Sequence, residues 1–587
     1  MMQRFFILLI AAGTWVAADR ADACGGLFCG NTPVDQTAER ILFEVNGDNT
    51  TSAVIEIQYQ GRAEDFSWVI PVPALWGVCA TADGEAHRDN ETGHPTRCQV
   101  GEEESPCSGG VLPEGLTCQA LEVVPPSVVR ALDLMTNPVI IPPPTTCSDR
   151  GGRGGVMFAD ATVAAPESND AGGVQVTELP SVGPFAPILV SGDDAQELVD
   201  WLEENEYAIT QEMVPLVADY VAREYQFLAM KLEPGADVSD IQPIKMTCPG
   251  DTPSIPLVLT GVAAEPEMGV KVFIMGDNRY QAGEDWSNVE IDVNMVNFNP
   301  IDGSHNYFGL VSWELDKAGG RGFITQFAGP TGQGPLANVP PMGRIEDAEE
   351  TAAYLRTLFE RYGYMSRLYS RVSGWEMLSD PVFVSLDGGD VPRQLDLSDR
   401  EPIEVCGDNN FRVACGRFYC GEGARCGITR EGGEGCVCPE GTVARVVSGP
   451  QGVGRNNPRA TVYCANENFD MLASMAPDID TPGNPCQAID CGAGTCKIIG
   501  GAATCACDDH QVAVLSEPNN RASLTCVEAF KTFEPTQLLW PVSAGGAGCG
   551  CGASAPLETA GLLAFLAGFM VLRRRRRRQP QRLRNDR

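Results

Sequence analysis

IEIQYQGRAEDFSWVIPVP, residues Ile55 to Pro73, is the stretch whose reading decides the fold class. Ile55, Ile57 and Tyr59 alternate with Glu56 and Gln58, the period-two pattern of a strand with one wet face. Gly61 breaks the run, and Phe66 to Val72 resumes it. Pro71-Val72-Pro73 then ends the pairing, because proline has no N–H to give to a ladder. Working outward, Arg40 to Val45 reads as an earlier strand, separated from Ala53 to Tyr59 by the turn signal Asn46-Gly47-Asp48. Three successive strands predict a meander.

Further along, Ser191 or Asp193 can cap a helix that puts Ala195, Leu198, Val199 and Leu202 on one face. A second helix is expected over Val214 to Tyr225 and a longer one over Ile345 to Tyr362, where apolar residues recur at steps of three and four. Strand signals return in Pro256 to Val262, Val270 to Met275, Tyr307 to Trp313 and Gly322 to Phe327. Mixed runs of both kinds predict an α+β main domain, a mixed sheet with packed helices, over residues 24–400. The blocks PVDQTAERILFEV, IEIQYQGRAEDFSWVIPVP, GVAAEPEMGVKVFIMGDNRY and RLYSRVSGWEMLSDPVF resemble the bacterial domain of unknown function 2330, over about residues 24–390. That resemblance implies boundaries more than chemistry, since the family carries no established activity.

Both ends of the chain carry targeting signals. Arg4 precedes the apolar run Phe5 to Ala18, and Ala21-Asp22-Ala23 supplies small residues before a cut between Ala23 and Cys24, so residues 1–23 are read as a signal peptide. At the other end, residues 528–555 form a linker ending in GAGCGCGAS, Pro556 to Leu572 hold one charge, and six arginines follow in a basic tail, residues 573–587. Seventeen apolar residues are at the short limit for a membrane-spanning helix. The arginines place the tail in the cytoplasm and the rest of the chain outside. The three-part order resembles the MYXO-CTERM sorting signal of myxobacterial surface proteins. The resemblance implies processing by a sorting protease at Cys549 or Cys551; a retained single-span anchor is the alternative.

The formal charge is −36, and the tail from Arg573 contributes +8, leaving about −44 for the remainder. So acidic a surface argues against nucleic acid as a partner. Twenty-three cysteines in an exported chain read as disulfides rather than metal ligands, and four histidines are too few for Cys/His zinc sites. Cys79, Cys98, Cys107 and Cys118 fall in a polar stretch, 77–120, read as a stapled excursion that also contains His87 and His94. Four cysteines allow three pairings, and the partners of Cys147, Cys248 and Cys406 are equally open.

From Cys406 the chain turns Cys- and Gly-rich. Cys415, Cys420, Cys426, Cys436, Cys438 and Cys464 are spaced C-x4-C-x5-C-x9-C-x-C-x25-C. Cys486, Cys491, Cys496, Cys505, Cys507 and Cys526 repeat the pattern as C-x4-C-x4-C-x8-C-x-C-x18-C. The two units, residues 406–465 and 484–527, resemble epidermal-growth-factor-like modules. That resemblance implies pairing of first with third, second with fourth and fifth with sixth cysteine. Neither copy has the acidic approach to its first cysteine that marks calcium-binding versions, so no metal is expected. Two such modules would make a rigid stalk or an adhesive unit.

No catalytic motif stands out: H-E-x-x-H, G-x-S-x-G and a P-loop are all missing. CSDRGGRGG lacks the Gly-Lys-Ser/Thr of a phosphate cradle. Asp302, His305 and Tyr307 form the one His-centred polar group of the main domain, and Glu64 with Asp65 could contribute to a cation site, although adjacent carboxylates on a strand point to opposite faces. The expectation is an exported, non-enzymatic surface protein without a cofactor. It would bind a surface protein or polysaccharide and be held at the membrane through its C-terminal helix. The alternatives are a surface hydrolase with its active site in residues 24–400 and a structural envelope component.

Overall fold

The computed structural model describes residues 36–56, 63, 66–81, 96–100, 116–146, 174–404, 418–447, 461–466 and 489–533, with internal breaks at 208, 210–212, 263, 299–302, 304, 340–346, 500–501 and 516–523. It also describes Cys486 and the short strands Asp22–Ala23, Arg412–Val413 and Pro541–Val542. Cys24, Cys415, Cys549, Cys551, His87, His94, Glu64, Asp65, Asp302 and the span expected over residues 556–572 lie outside the described residues. Among the described residues no helix is long and apolar enough to cross a membrane.

Two sheets dominate. The larger has eleven strands, and its main path runs Ser287–Val289, Gly322–Pro330, Tyr364–Val372, Ala264–Gly276, Gln36–Asn46, Thr50–Glu56, Ile244–Pro249, Trp76–Thr81 and Arg97–Gln99. The smaller has four, in the order Gln175–Glu178, Phe185–Ser191, Gln226–Leu232 and Ser67–Val72. The sheets pack face to face: Ile41, Phe43 and Ile55 from one share a core with Trp68, Ile70, Phe185 and Leu228 from the other. The outer face of the larger sheet, with Leu42, Val54 and Phe273, is covered by helices Val128–Thr136 and Ala348–Arg361. The outer face of the smaller sheet, with Val69, Val190 and Phe227, is covered by Ala195–Glu204 and Val214–Ala222. The result is four layers, helix–sheet–sheet–helix, more β than the α+β reading expects.

This layering explains where sequence patterns mislead. Consecutive residues of Gln36–Asn46 and Thr50–Glu56 enter different cores, so neither face of their central part is wet. Gln36–Asn46 and Thr50–Glu56 do form an antiparallel pair, but Thr50–Glu56 next pairs with Ile244–Pro249, and Ser67–Val72 crosses to the smaller sheet. The meander is therefore corrected to a hairpin plus a strand in the second sheet. The stretch 77–120 is no mere excursion either: Trp76–Thr81, Arg97–Gln99 and Leu116–Gln119 join the larger sheet, with Cys98 bridged to Cys118. Cys79 and Cys248 are also disulfide-bonded. Two expected strands are helical. Tyr307–Lys317 is an α-helix whose Leu310, Val311 and Leu315 pack on Ile324 and Tyr369, and Leu257–Thr260 is a single turn whose Val258 N–H donates to Asp380 Oδ1 at 3.0 Å. Short apolar runs do not separate helix from strand by periodicity.

The Cys-rich region contains Cys420–Cys436, Cys438–Cys464, Cys486–Cys496, Cys491–Cys505 and Cys507–Cys526, and Cys426 is bonded as well. Its two Cys units do not stand apart. One five-stranded sheet runs Leu524–Glu528, Gln511–Leu515, Glu434–Val437, Arg425–Ile428, Lys531–Phe533, and one four-stranded sheet runs Thr461–Asn466, Thr442–Val447, Ala502–Ala506, Thr495–Ile499. Each sheet takes strands from both units. A Cβ on Gly435 would lie 1.8 Å from the Ala513 carbonyl oxygen, so only glycine allows that approach. The region also packs on the main domain, where Trp313 meets Tyr419 edge-on at 5.4 Å between ring centroids. The expected stalk of two separate modules is replaced by one interleaved unit docked on the sandwich.

Candidate functional site

Two of the polar constellations among the described residues are candidate sites. The first is a pocket of about 450 Å³. Strand alternation puts Glu44, Asn46, Ser52, Lys245 and Thr247 on the face of the larger sheet that carries helix Ala348–Arg361. The pocket is lined there by Asn46, Ser52, Lys245, Thr247 and Arg361, and also by Val78, Ala80, Arg97, Gln119, Glu122, Val123 and Val182.

Its floor is held by a continuous network. Lys245 Nζ lies 2.8 Å from Glu44 Oε1, and the hydroxyls of Tyr354 and Tyr362 donate to Glu44 at 2.9 and 3.0 Å. Asn46 Nδ2 donates to Thr50 Oγ1 and Ser52 Oγ at 3.0 and 3.1 Å, and Ser52 Oγ lies 2.8 Å from Thr247 Oγ1. Burial alone would raise Glu44, but Lys245, Tyr354 and Arg361 hold it below the usual carboxylate range. Burial first, and then the same carboxylate, pushes the Tyr354 and Tyr362 phenols up. Arg97 Nε donates to Asp48 Oδ2 at 3.0 Å. Lys245 and Arg97 are thus neutralised in place. Arg361 donates to Asn46 Oδ1 at 2.9 Å, and among the described residues neither Arg361 nor Glu122 makes an ion pair. The wall therefore offers the remaining donors of the Arg361 guanidinium and the Glu122 carboxylate, with amide and hydroxyl groups between them. Such a wall can both donate to and accept from a neutral polar ligand.

The second constellation is buried where the Cys-rich region meets the sandwich. Glu267, Asp316 and Glu376 bring carboxylate oxygens within 4.8 Å of one another. Glu267 comes from strand Ala264–Gly276, Asp316 from helix Tyr307–Lys317 and Glu376 from the turn Gly374–Glu376. Glu267 sits at φ = 61°, a region that side-chain-bearing residues rarely adopt, where its strand slips register with Gln36–Asn46 between Ala264 and Gly269. Arg371 Nη2 fastens this irregularity by donating to the Glu267 carbonyl at 2.8 Å, and Arg371 Nε lies 3.9 Å from Glu267 Oε2. Glu376 Oε2 accepts from Ser373 N–H at 2.7 Å, and a Cβ on Gly320 (φ = 76°) would meet the Glu376 carboxylate at 2.5 Å.

The Cys-rich region contributes buried Tyr463 and Arg445, the latter 4.5 Å above the Trp375 ring. Burial, then the neighbouring carboxylates, raise Glu376 to about 7 and Asp316 well above the ordinary range. Three carboxylates beside Arg371 and Arg445 leave one negative charge, which one proton neutralises and a divalent cation would overshoot.

Of the polar group expected around His305, Asp302 lies outside the described residues, and the His305 and Tyr307 ring centroids lie 6.4 Å apart. The His305 ring packs 5.8 Å from Phe308, and burial lowers its pKa. The Tyr307 hydroxyl instead accepts from Gln326 Nε2 at 3.0 Å inside the sheet. Asp22 and Ala23, beside the expected signal cleavage, pair with Thr252 and Pro253.

A two-sheet sandwich joined to a disulfide-braced region defines the architecture. The chain belongs to the DUF2330 family, described as an uncharacterized protein conserved in bacteria, which matches residues 18–368. The match includes Glu44, Lys245, Arg361, Glu267 and Asp316 and stops before Glu376, Arg445 and Tyr463. Comparison with curated proteins and with solved structures finds no match.

Proposed function

We propose that this chain is an exported, surface-displayed binding protein whose DUF2330 domain takes a hydroxyl-rich ligand, a saccharide, in the pocket beside Arg361. The pocket carries this reading. Each sugar hydroxyl both donates and accepts, and Arg361, Glu122, Gln119 and Asn46 supply both kinds of partner at one wall. Val78, Ala80, Val123 and Val182 give apolar patches for the C–H faces of a ring. The volume falls in the range of about 300–1,000 Å³ usual for small-molecule sites. Saccharide recognition suits display outside the cell. Export is supported by the paired cysteines, which persist in an oxidising compartment. In this reading residues 1–23 are removed, the Cys-rich units derive from epidermal-growth-factor-like modules, and the C-terminal signal sorts or anchors the chain through Cys549 or Cys551 and residues 556–572.

One preparation tests both halves. Protein purified from producing cells should begin at Cys24 and end near Cys549 or Cys551 by intact mass. Titration against a panel of neutral and acidic oligosaccharides should then reveal binding that Arg361→Met weakens about 10- to 100-fold, the loss expected for a hydrogen bond to a charged group. Retention of residues 1–23 would sink the export claim. A panel without any binder, or equal affinity in Arg361→Met, would sink the pocket.

A further inference from the structure

The contact between Tyr463 and the carboxylates has a hydrogen-counting consequence. Its hydroxyl oxygen lies 2.8 Å from Glu267 Oε1 and 2.8 Å from Asp316 Oδ2. Both are lengths of full O–H···O bonds, and each such bond needs its own hydrogen. A phenol carries one, and ionised carboxylates carry none. The second hydrogen must sit on a carboxyl group. Glu267 Oε2 and Asp316 Oδ1 are both buried without a hydrogen-bond partner, and burial with the neighbouring carboxylates raises Asp316 well above the ordinary range. The consistent chain is Asp316 O–H donating to the Tyr463 oxygen and Tyr463 O–H donating to Glu267. Tyr463 lies on Thr461–Asn466 of the Cys-rich region, while both carboxyls belong to the sandwich, so the chain of hydrogens crosses the junction.

We propose that a proton held between Asp316 and Tyr463 latches the disulfide-braced region onto the DUF2330 domain, and that losing this proton opens the dock. The charged and titratable groups facing it are known from every packed element. Glu267 and Arg371 come from the large sheet, with Tyr369 accepting from Arg371 Nη1 at 3.1 Å. Glu376 comes from the turn after Tyr364–Val372, Asp316 from the helix, and Arg445 and Tyr463 from the Cys-rich region. With Asp316 ionised, three buried carboxylates face two guanidiniums and Tyr463 keeps a single hydrogen for two acceptors. Glu376, at about 7, adds a second titration in the same place.

A carboxyl raised in the docked state gives stability that is fully present below the value of the exposed group, about 3.9 for Asp, and is lost as pH rises through the docked value. The dock is therefore tightest in mild acid. The opening constant climbs by up to about tenfold per pH unit for each proton lost, then levels off.

Amide hydrogen exchange of the full chain between about pH 5 and pH 8, divided by the intrinsic rate at each pH, reads this directly in peptides covering 307–317 and 461–466. The expected result is on the order of a tenfold or greater rise in opening there, with no rise in Gln226–Leu232. The double variant Asp316→Asn/Glu376→Gln, which cannot titrate, should show a flat profile. Should that variant fail to fold, Tyr463→Phe keeps the ring and removes the bridging hydroxyl. It should bring protection at pH 5 down towards the wild-type level at pH 8. A flat wild-type profile, an unchanged rise in the double variant, or full protection in Tyr463→Phe overturns the latch. So does protection that a chelator abolishes, which would mean a bound cation in place of the proton.

Discussion

The sandwich buries Trp68, Phe43, Phe185, Phe227 and Phe273 between and behind its sheets, with Cys248 among the residues of the core they enclose. The Cys-rich region has Phe418, Phe533 and small aliphatic side chains at its centre, and the sulfurs of Cys420, Cys436, Cys438, Cys464 and Cys505 fill much of the remainder. In the first, stability comes from apolar area withdrawn from water. In the second, too little such area exists, and cross-links that restrict the unfolded chain make up the difference. The two materials respond to different insults, which makes them separable by experiment.

Reduction should have the largest effect. Losing a native disulfide typically costs about 2–5 kcal/mol, and five bridges with both partners described lie between Cys420 and Cys526. Under dithiothreitol, exchange protection should vanish from residues 418–533 while the strands Tyr364–Val372 and Ala264–Gly276 keep theirs. Simultaneous loss in both regions would show one cooperative unit and break the contrast. Next in size, Trp68→Ala should destabilise the sandwich by about 3–5 kcal/mol, seen as a lower midpoint in denaturant, with the bridges of the other region intact. A cost below about 1 kcal/mol would mean that the two-sheet core is not where the stability resides.

The smallest effect comes from acid. Asp133 lies between Lys271 at 2.8 Å and Arg367 at 2.7 Å, and although burial opposes ionisation, these cations hold its carboxyl down at about 2. A depressed carboxylate adds stability above its unfolded value and loses it as pH falls towards the folded one, so the sandwich should weaken by about 2 kcal/mol between about pH 5 and pH 2. Disulfides do not titrate over this range. Thermal unfolding followed against pH should show the acid slope in wild type and a shallower one in Asp133→Asn; an equal slope in both would place the acid sensitivity elsewhere.

Much of the strand and helix content was readable in the sequence. The runs over Arg40 to Val45, Phe66 to Val72 and Val270 to Met275, and the helices starting near Ala195, Val214 and Ala348, lie where their patterns put them. What periodicity could not convey was which sheet a strand joins, because Ser67–Val72 looks the same whether it pairs with its predecessor or crosses to the far sheet. Tyr307–Lys317 was misread because Phe308, Leu310, Val311 and Trp313 form a run short enough for either element. The sites were scarcely legible. Asn46 and Asp48 carried only a turn signal, and Lys245, Arg361 and Glu122 meet across long chain separations. Glu267, Asp316, Glu376, Arg445 and Tyr463 lie on five different elements, and nothing in their spacing joins them. Of the alternating run IEIQYQ, Ile55 and Glu56 lie in strand Thr50–Glu56 and the rest lies outside the described residues.

The interleaving of the two Cys units also governs the order in which the chain can mature. Glu434–Val437 has Gln511–Leu515 as one of its two neighbours, and Thr442–Val447 receives Ala502–Ala506 beside it. The earlier unit can close its own hairpins as it is synthesised, but its remaining strand edges stay unpaired until the later unit arrives. Pairings so distant in sequence form slowly. During that interval the early thiols meet oxidant without a finished scaffold to choose their partners, and thiol–disulfide exchange must correct any wrong choice. The two repeats are therefore one kinetic unit, completed only when the last strands dock.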